Sequence, residues 1–159
     1  MGADEFKNVG SYFGEEKYVT VPGALEEGPA CTVEGWFIWM SGDGPLLRTA
    51  DGQWRLLYDR DGFCAYAIGD VERITTVPVA SIQNRWIYAA IAKEGPDAIL
   101  RIDDSVEDHW QEAPSQANPL GESFFMKDAV GFAADIAFYD KRLPDDRIDA
   151  HWEAGKNRV

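Results

Sequence analysis

The sequence predicts an all-β chain closed by one C-terminal helix, and three observations carry that reading. Short apolar runs recur along most of the 159 residues, separated by glycine, proline and aspartate. Asp-Gly pairs at Asp51-Gly52 and Asp61-Gly62 join such runs as tight turns, because glycine takes the positive φ that a hairpin turn demands. Near the end the periodicity changes. Ala134 to Tyr139 alternates with period two, while Ile148 and Trp152 sit four apart, as on one face of a helix.

Taken in order, residues 32–39 form the first long strand, with Trp36 and Ile38 on one face and Val33, Phe37 and Trp39 on the other. Ser41-Gly-Asp-Gly44 turns the chain into 45–49. Strands then follow over 54–59, 63–68, 72–79 and 86–92, and Glu94-Gly-Pro-Asp97 turns into the next. Residues 103–128 are the longest irregular stretch, a length that in a compact domain often carries function. After the strand at 134–139, Pro144 at the first helical position and Asp145 and Asp146 in the first turn open a helix over 144–155. Gly155 is placed to end it.

Composition bounds the class. Hydrophobic residues make up 45%, with Trp 6, Tyr 6 and Phe 8, enough apolar bulk for a globular core. Lys+Arg 15 against Asp+Glu 28 gives a formal charge of −13, spread along the chain. Such a surface lacks the basic stripe that nucleic-acid backbones or anionic membranes require. Cys31 and Cys64 lack metal-pair spacing, and Cys64 alternates within a strand, so a buried free thiol is expected. The N-terminus, Met1-Gly-Ala-Asp-Glu-Phe6, has neither a basic start nor an apolar stretch and is not a secretory signal. No run approaches the roughly 20 apolar residues that span a bilayer.

Several segments, in order, resemble one family. Tyr18-Val-Thr-Val-Pro22, Thr32-Val-Glu-Gly-Trp-Phe37, Trp86 to Ala92 followed by Ala98 to Asp103, and the strand, turn and helix from Ala134 to Gly155 are similar to pieces of the laminin-G-like (concanavalin A-like) jelly-roll family. The resemblance implies a two-sheet antiparallel jelly-roll β-sandwich with one short C-terminal α-helix. It makes residues 1–159 a single domain, with a core over 18–155 and an N-terminal arm over 1–17. It also implies that Trp36 and Trp86 are structural, and Tyr139 and Trp152 are expected to seal the helix against the sheet. A family calcium site carries acidic residues at the start of the last strand. Here that string is Ala134-Asp135-Ile136, so its first acid is lost, and no cofactor is expected, with Ca2+ left open.

Function is sought where aromatic and polar residues meet outside the regular strands. His109 and Trp110, in the long irregular stretch, are the candidates for a contact surface, since an exposed aromatic stacks on a sugar or anchors a protein. The competing reading puts Trp110 on a strand, packed over the sandwich edge. Phe124 and Phe125, with Phe6, Tyr12 and Phe13, are further apolar anchors that are costly to leave wet. Glycosidase chemistry needs two facing carboxylates, and Asp103-Asp104, Glu107-Asp108 and Asp70 with Glu72 do not supply a recognisable set. No enzyme is therefore expected. The reading is a non-catalytic module, an accessory subunit of a larger extracellular assembly such as a phage virion, contacting partner proteins and surface polysaccharide. A lectin-like, carbohydrate-binding adhesion module is the alternative.

Overall fold

The structure, a computed structural model, describes residues 11–13, 19–21, 29–50, 52–114, 122–126 and 129–157. Twelve strands, one single-turn 3-10 helix (Val79–Ser81) and one α-helix are described. The strands and the α-helix are β1 (Ser11–Phe13), β2 (Val19–Val21), β3 (Ala30–Ser41), β4 (Leu47–Thr49), β5 (Trp54–Arg60), β6 (Phe63–Ile68), β7 (Val71–Pro78), β8 (Trp86–Glu94), β9 (Asp97–Ile102), β10 (Ser105–Trp110), β11 (Ser123–Phe125), β12 (Val130–Tyr139) and α1 (Asp145–Lys156). They form two six-stranded sheets, β1-β12-β3-β8-β9-β10 and β2-β11-β4-β5-β6-β7. The described pairings are antiparallel, and the sheets stack as a jelly-roll-like β-sandwich with one C-terminal helix.

The strand β3 is apolar on both faces because it is covered on both. Cys31, Val33, Phe37 and Trp39 face the layer between the sheets, whereas Trp36 faces a second cluster beneath α1. In β8, Ile87, Ala89 and Ile91 belong to the first cluster and Tyr88, Ala90 and Ala92 to the second. Cys31 and Cys64 are buried free thiols in different sheets, and burial pushes each up to about 12. Asp61 and Gly62 both take positive φ, 53° and 89°, as a two-residue hairpin of type I′ requires.

Three expectations are corrected. The stretch 103–128 is not irregular throughout, since it contains β10 and β11. Asp103 takes a left-handed φ of 55° and turns β9 into β10, a turn made by aspartate without glycine. β10 is also an edge strand rich in polar side chains, so its alternation is faint. Pro144 is the residue before α1, not inside it, and its carbonyl accepts from the Arg147 and Ile148 N–H groups. Gly155 does not end the helix, which runs on to Lys156. A Cβ there would sit 2.4 Å from the Trp36 indole, so close packing is the reason for glycine.

Candidate binding face

The outer side of the first sheet is closed. α1 lies over it, and Trp36 (5% exposed), Tyr88, Ile99, Leu143 and Ile148 form the seal, with Trp86, Tyr139 and Trp152 partly buried against it. Within this seal is Glu34, 6% exposed and the one buried carboxylate among the described residues. It accepts from the Tyr88 hydroxyl, from the Tyr139 hydroxyl at 3.1 Å, and lies 2.8 Å from His151 Nδ1. Burial first, then the Glu34 charge, push the Tyr139 hydroxyl up to about 12 and Tyr88 further in the same direction. Arg101, buried alongside, pairs with Asp149 of α1 and donates to the Asp103 carbonyl at 2.7 Å. The cluster ties helix to sheet. The buried Glu34 carboxylate is spent on Tyr88, Tyr139 and His151, which suits anchoring.

The open edge of the sandwich, where β7 and β10 come together, is closed by Trp110. This residue is 5% exposed and belongs to the core between the sheets, so the contact-surface expectation for it is corrected to packing. Its ring meets Tyr66 edge-on at 6.0 Å, and the Arg73 guanidinium lies over it at 5.3 Å. Asp108 accepts from Tyr66 at 2.7 Å and from two Arg73 nitrogens at 3.0 Å each. Burial acts to raise the Asp108 pKa, but the Arg73 and Tyr66 hydrogen bonds and the Arg73 charge outweigh it, leaving the carboxyl below its usual 3.8. A depressed folded pKa adds stability that is present above the unfolded pKa and lost as pH falls through the folded one. Asp108→Asn is accordingly expected to lower stability at pH 7 and to flatten its acid dependence below about pH 4, in urea midpoints measured from pH 7 to 2. An unchanged acid limb would show that Asp108 does not carry it.

His109 is half-exposed, 2.6 Å from Asp97, which also receives Arg142 from the segment before α1. Hydrogen bonds first from Arg142 and then from His109 hold the Asp97 carboxyl below its usual range. Phe124 and Phe125 lie on β11 in register with Arg48 and Leu47. Their side chains, like Phe6, fall outside the described residues. Among the described residues no group of three His, Cys, Asp or Glu side chains is placed to hold a metal ion.

The outer face of the second sheet is different, since no described helix covers it. Its rows follow from the register. Arg48 opposes Arg55, which opposes Ala67, which opposes Glu72; Tyr58, Ala65 and Ile74 form the next row; Arg60 and Phe63 the third. Arg55 and Arg60 are an odd number of residues apart and would lie on opposite faces of an unbroken strand. A bulge places them together. Between Leu56 and Tyr58 the register slips, and Leu57 adopts a φ of 51°, a left-handed value costly for leucine. The Leu46 N–H reaches both the Leu56 and Leu57 carbonyls at this point.

Side chains on this face lock into one lattice. The Tyr58 hydroxyl donates to Glu72 at 2.5 Å, across the buried alanines Ala65 and Ala67 of β6, and Arg60 Nε lies 3.3 Å from the same carboxylate. Burial first, then the Glu72 hydrogen bond, raises the Tyr58 hydroxyl well above its ordinary range. The Arg55 guanidinium stacks 4.9 Å from the Tyr58 ring centre, and its Nε is shielded from solvent with no hydrogen-bond partner. Phe63 and Ile74 stand out, 42% and 54% exposed. Sequence reasoning missed this site because its arginines lie on two strands and only the register and the bulge unite them. The usable signal was Arg48, Arg55 and Arg60 clustering in a chain of opposite overall charge.

No protein-family model and no curated protein sequence matches the chain. Among solved structures, the heptameric SAP-like pentraxin from Limulus polyphemus superposes with a TM-score of 0.71 at 9% identity, over 87% of this chain and 78% of that one. The receptor-binding domain of botulinum neurotoxin D gives 0.70 at 13% identity, over 89% and 42% respectively. The serotype D ligand-binding domain in complex with N-acetylneuraminic acid gives 0.67 at 13% identity, over 86% and 40%. The chain thus spans about two fifths of the toxin chains. At these identities the likeness shows a shared fold, a concanavalin-like jelly roll.

Proposed function

We propose that this chain is a non-catalytic binding module of laminin-G-like type, working through the outer face of its second sheet. The observation that carries the reading is the face itself: three arginines and exposed Phe63 and Ile74 on a sheet surface that no described helix covers, in a chain of charge −13. The inward use of Glu34 and His151 supports a role without catalysis. Neighbours of the same fold include a receptor-binding domain and one bound to N-acetylneuraminic acid. These support a glycan as the partner class.

Amide chemical-shift mapping on the full chain, titrated with neutral and acidic polysaccharides, tests the face. Shifts are expected to gather on Arg48, β5, β6 and β7. Shifts confined to α1 or to the hairpin around His109, or none with any polysaccharide, would overturn the reading. The exposed Phe63 and Ile74 favour a second version, docking against a protein subunit of a larger extracellular assembly. In that case Ile74→Asp would abolish incorporation into the assembly while leaving glycan titrations unchanged.

A further inference from the structure

We propose that Asp108 is a latch on the open edge of the sandwich, and that its release parts β7 from β10 while the rest of the fold stays closed. β7 and β10 are the terminal strands of their sheets, so no further ladder closes the molecule where they meet. Among the described residues, the side-chain hydrogen bonds that run from a strand of one sheet to a strand of the other are those of Asp108, with Tyr66 of β6 and Arg73 of β7. β10 has little else to hold it. Ser105, Val106 and His109 are exposed, and Trp110 is its one buried residue. A register slip between Val106 and Asp108 sets Asp108 opposite Leu100 and Trp110 opposite Ala98, so that both turn towards the core between the sheets. His109 turns the other way, to Asp97 of β9, and ties β10 to its own sheet.

The four groups at this edge depend on one another. Asp108 holds Arg73 through two nitrogens, Arg73 covers the Trp110 ring, and Trp110 meets Tyr66, whose hydroxyl returns to Asp108. Without the carboxylate, Arg73 loses its place over Trp110. The hydroxyl of Tyr66, a residue 0% exposed, loses its acceptor. An unpaired buried hydroxyl is costly in the closed edge and costs nothing in an open one, where water reaches it, so the balance shifts towards opening. The opening is local, because β3 and β8 are paired on both sides and covered by α1 on their outer face. Two native thiols report on the two regions. Cys64 lies on β6 beside the latch, where the Thr75 hydroxyl of β7 donates to its carbonyl at 2.8 Å. Cys31 lies on β3, in the middle of the first sheet. Both are 0% exposed when the edge is closed.

Thiol trapping on the full chain is the test, with iodoacetamide as the reagent and peptide mass mapping to read each cysteine separately. Asp108→Asn is expected to speed Cys64 labelling relative to Cys31 by roughly tenfold or more, the effect of losing a hydrogen-bonded charge. Arg85→Gln removes a different arginine–aspartate pair, Arg85 with Asp103, which does not join the two sheets. It should leave the ratio of the two rates at the parent's value. Equal acceleration of both thiols would show the whole fold loosening and would overturn the latch. So would acceleration of Cys31 alone, no acceleration at all, or the same change in ratio from Arg85→Gln. Should Asp108→Asn not fold, Arg73→Lys carries the test, since an ammonium keeps the charge but not the two-nitrogen grip. It is expected to favour Cys64 in the same way by a smaller factor, and labelling at the parent's ratio would overturn the proposal.

Discussion

Trp36→Ala is expected to destabilise the chain by roughly 3–5 kcal/mol, the range for removing a large buried aromatic. The indole is 5% exposed and packs against Tyr88 at a ring separation of 5.5 Å, between sheet and helix. It also fills the space that Gly155 leaves in α1. Its loss therefore removes apolar contact on two sides and opens a cavity beside the Glu34 cluster, whose hydrogen bonds depend on the helix staying docked. Urea unfolding with an unchanged m-value measures the cost. A change below about 1 kcal/mol would show that Trp36 does not hold α1 to the sheet.

Gly131→Ala is expected to be at least as damaging. Gly131 pairs with Trp39 of β3 on one side and Phe13 of β1 on the other. A Cβ there would sit 1.8 Å from the Ile38 carbonyl oxygen and 2.9 Å from its carbon. Overpacking commonly costs about 1–3 kcal/mol when side chains can shift. Here the obstacle is backbone inside a paired ladder, so the strands themselves must part, and the cost should reach or exceed the top of that range. Hydrogen exchange is expected to speed up at β3 and β12 amides before those of β5 and β6. Stability within 1 kcal/mol of the parent, with β12 still protected, would contradict the close approach.

What was legible in the sequence was whatever depends on neighbours along the chain. Short apolar runs at 32–39, 63–68 and 86–92, aspartate-glycine turns and the change of period before α1 mark elements through local geometry alone. The structural roles of Trp36 and Trp86 came from the family resemblance; Trp36 is buried under α1 and Trp86 packs partly buried against the same cluster. β10 was hidden because an edge strand with polar residues on it does not alternate clearly, and its turn uses Asp103 at positive φ in place of glycine. Trp110 was misplaced with it, because whether an aromatic is buried depends on a strand from the other sheet, here β7 with Arg73.

By itself, then, the sequence determined the all-β class, the single terminal helix, the two-sided burial of β3 and a strongly acidic charge, all properties of residue type and short-range period. The arginine-bearing face proposed for binding was decided by tertiary structure alone. Arg48, Arg55 and Arg60 share a surface only because β4 pairs with β5, β5 with β6, and the Leu57 bulge shifts Arg60 onto the face of Arg55. The Glu34 anchor likewise needs β3, β8, β12 and α1 in one place, across as many as 117 residues of sequence separation. Side-chain period is two within a strand, but pairing register and a single inserted residue determine which side chains meet across strands, and no local pattern encodes either.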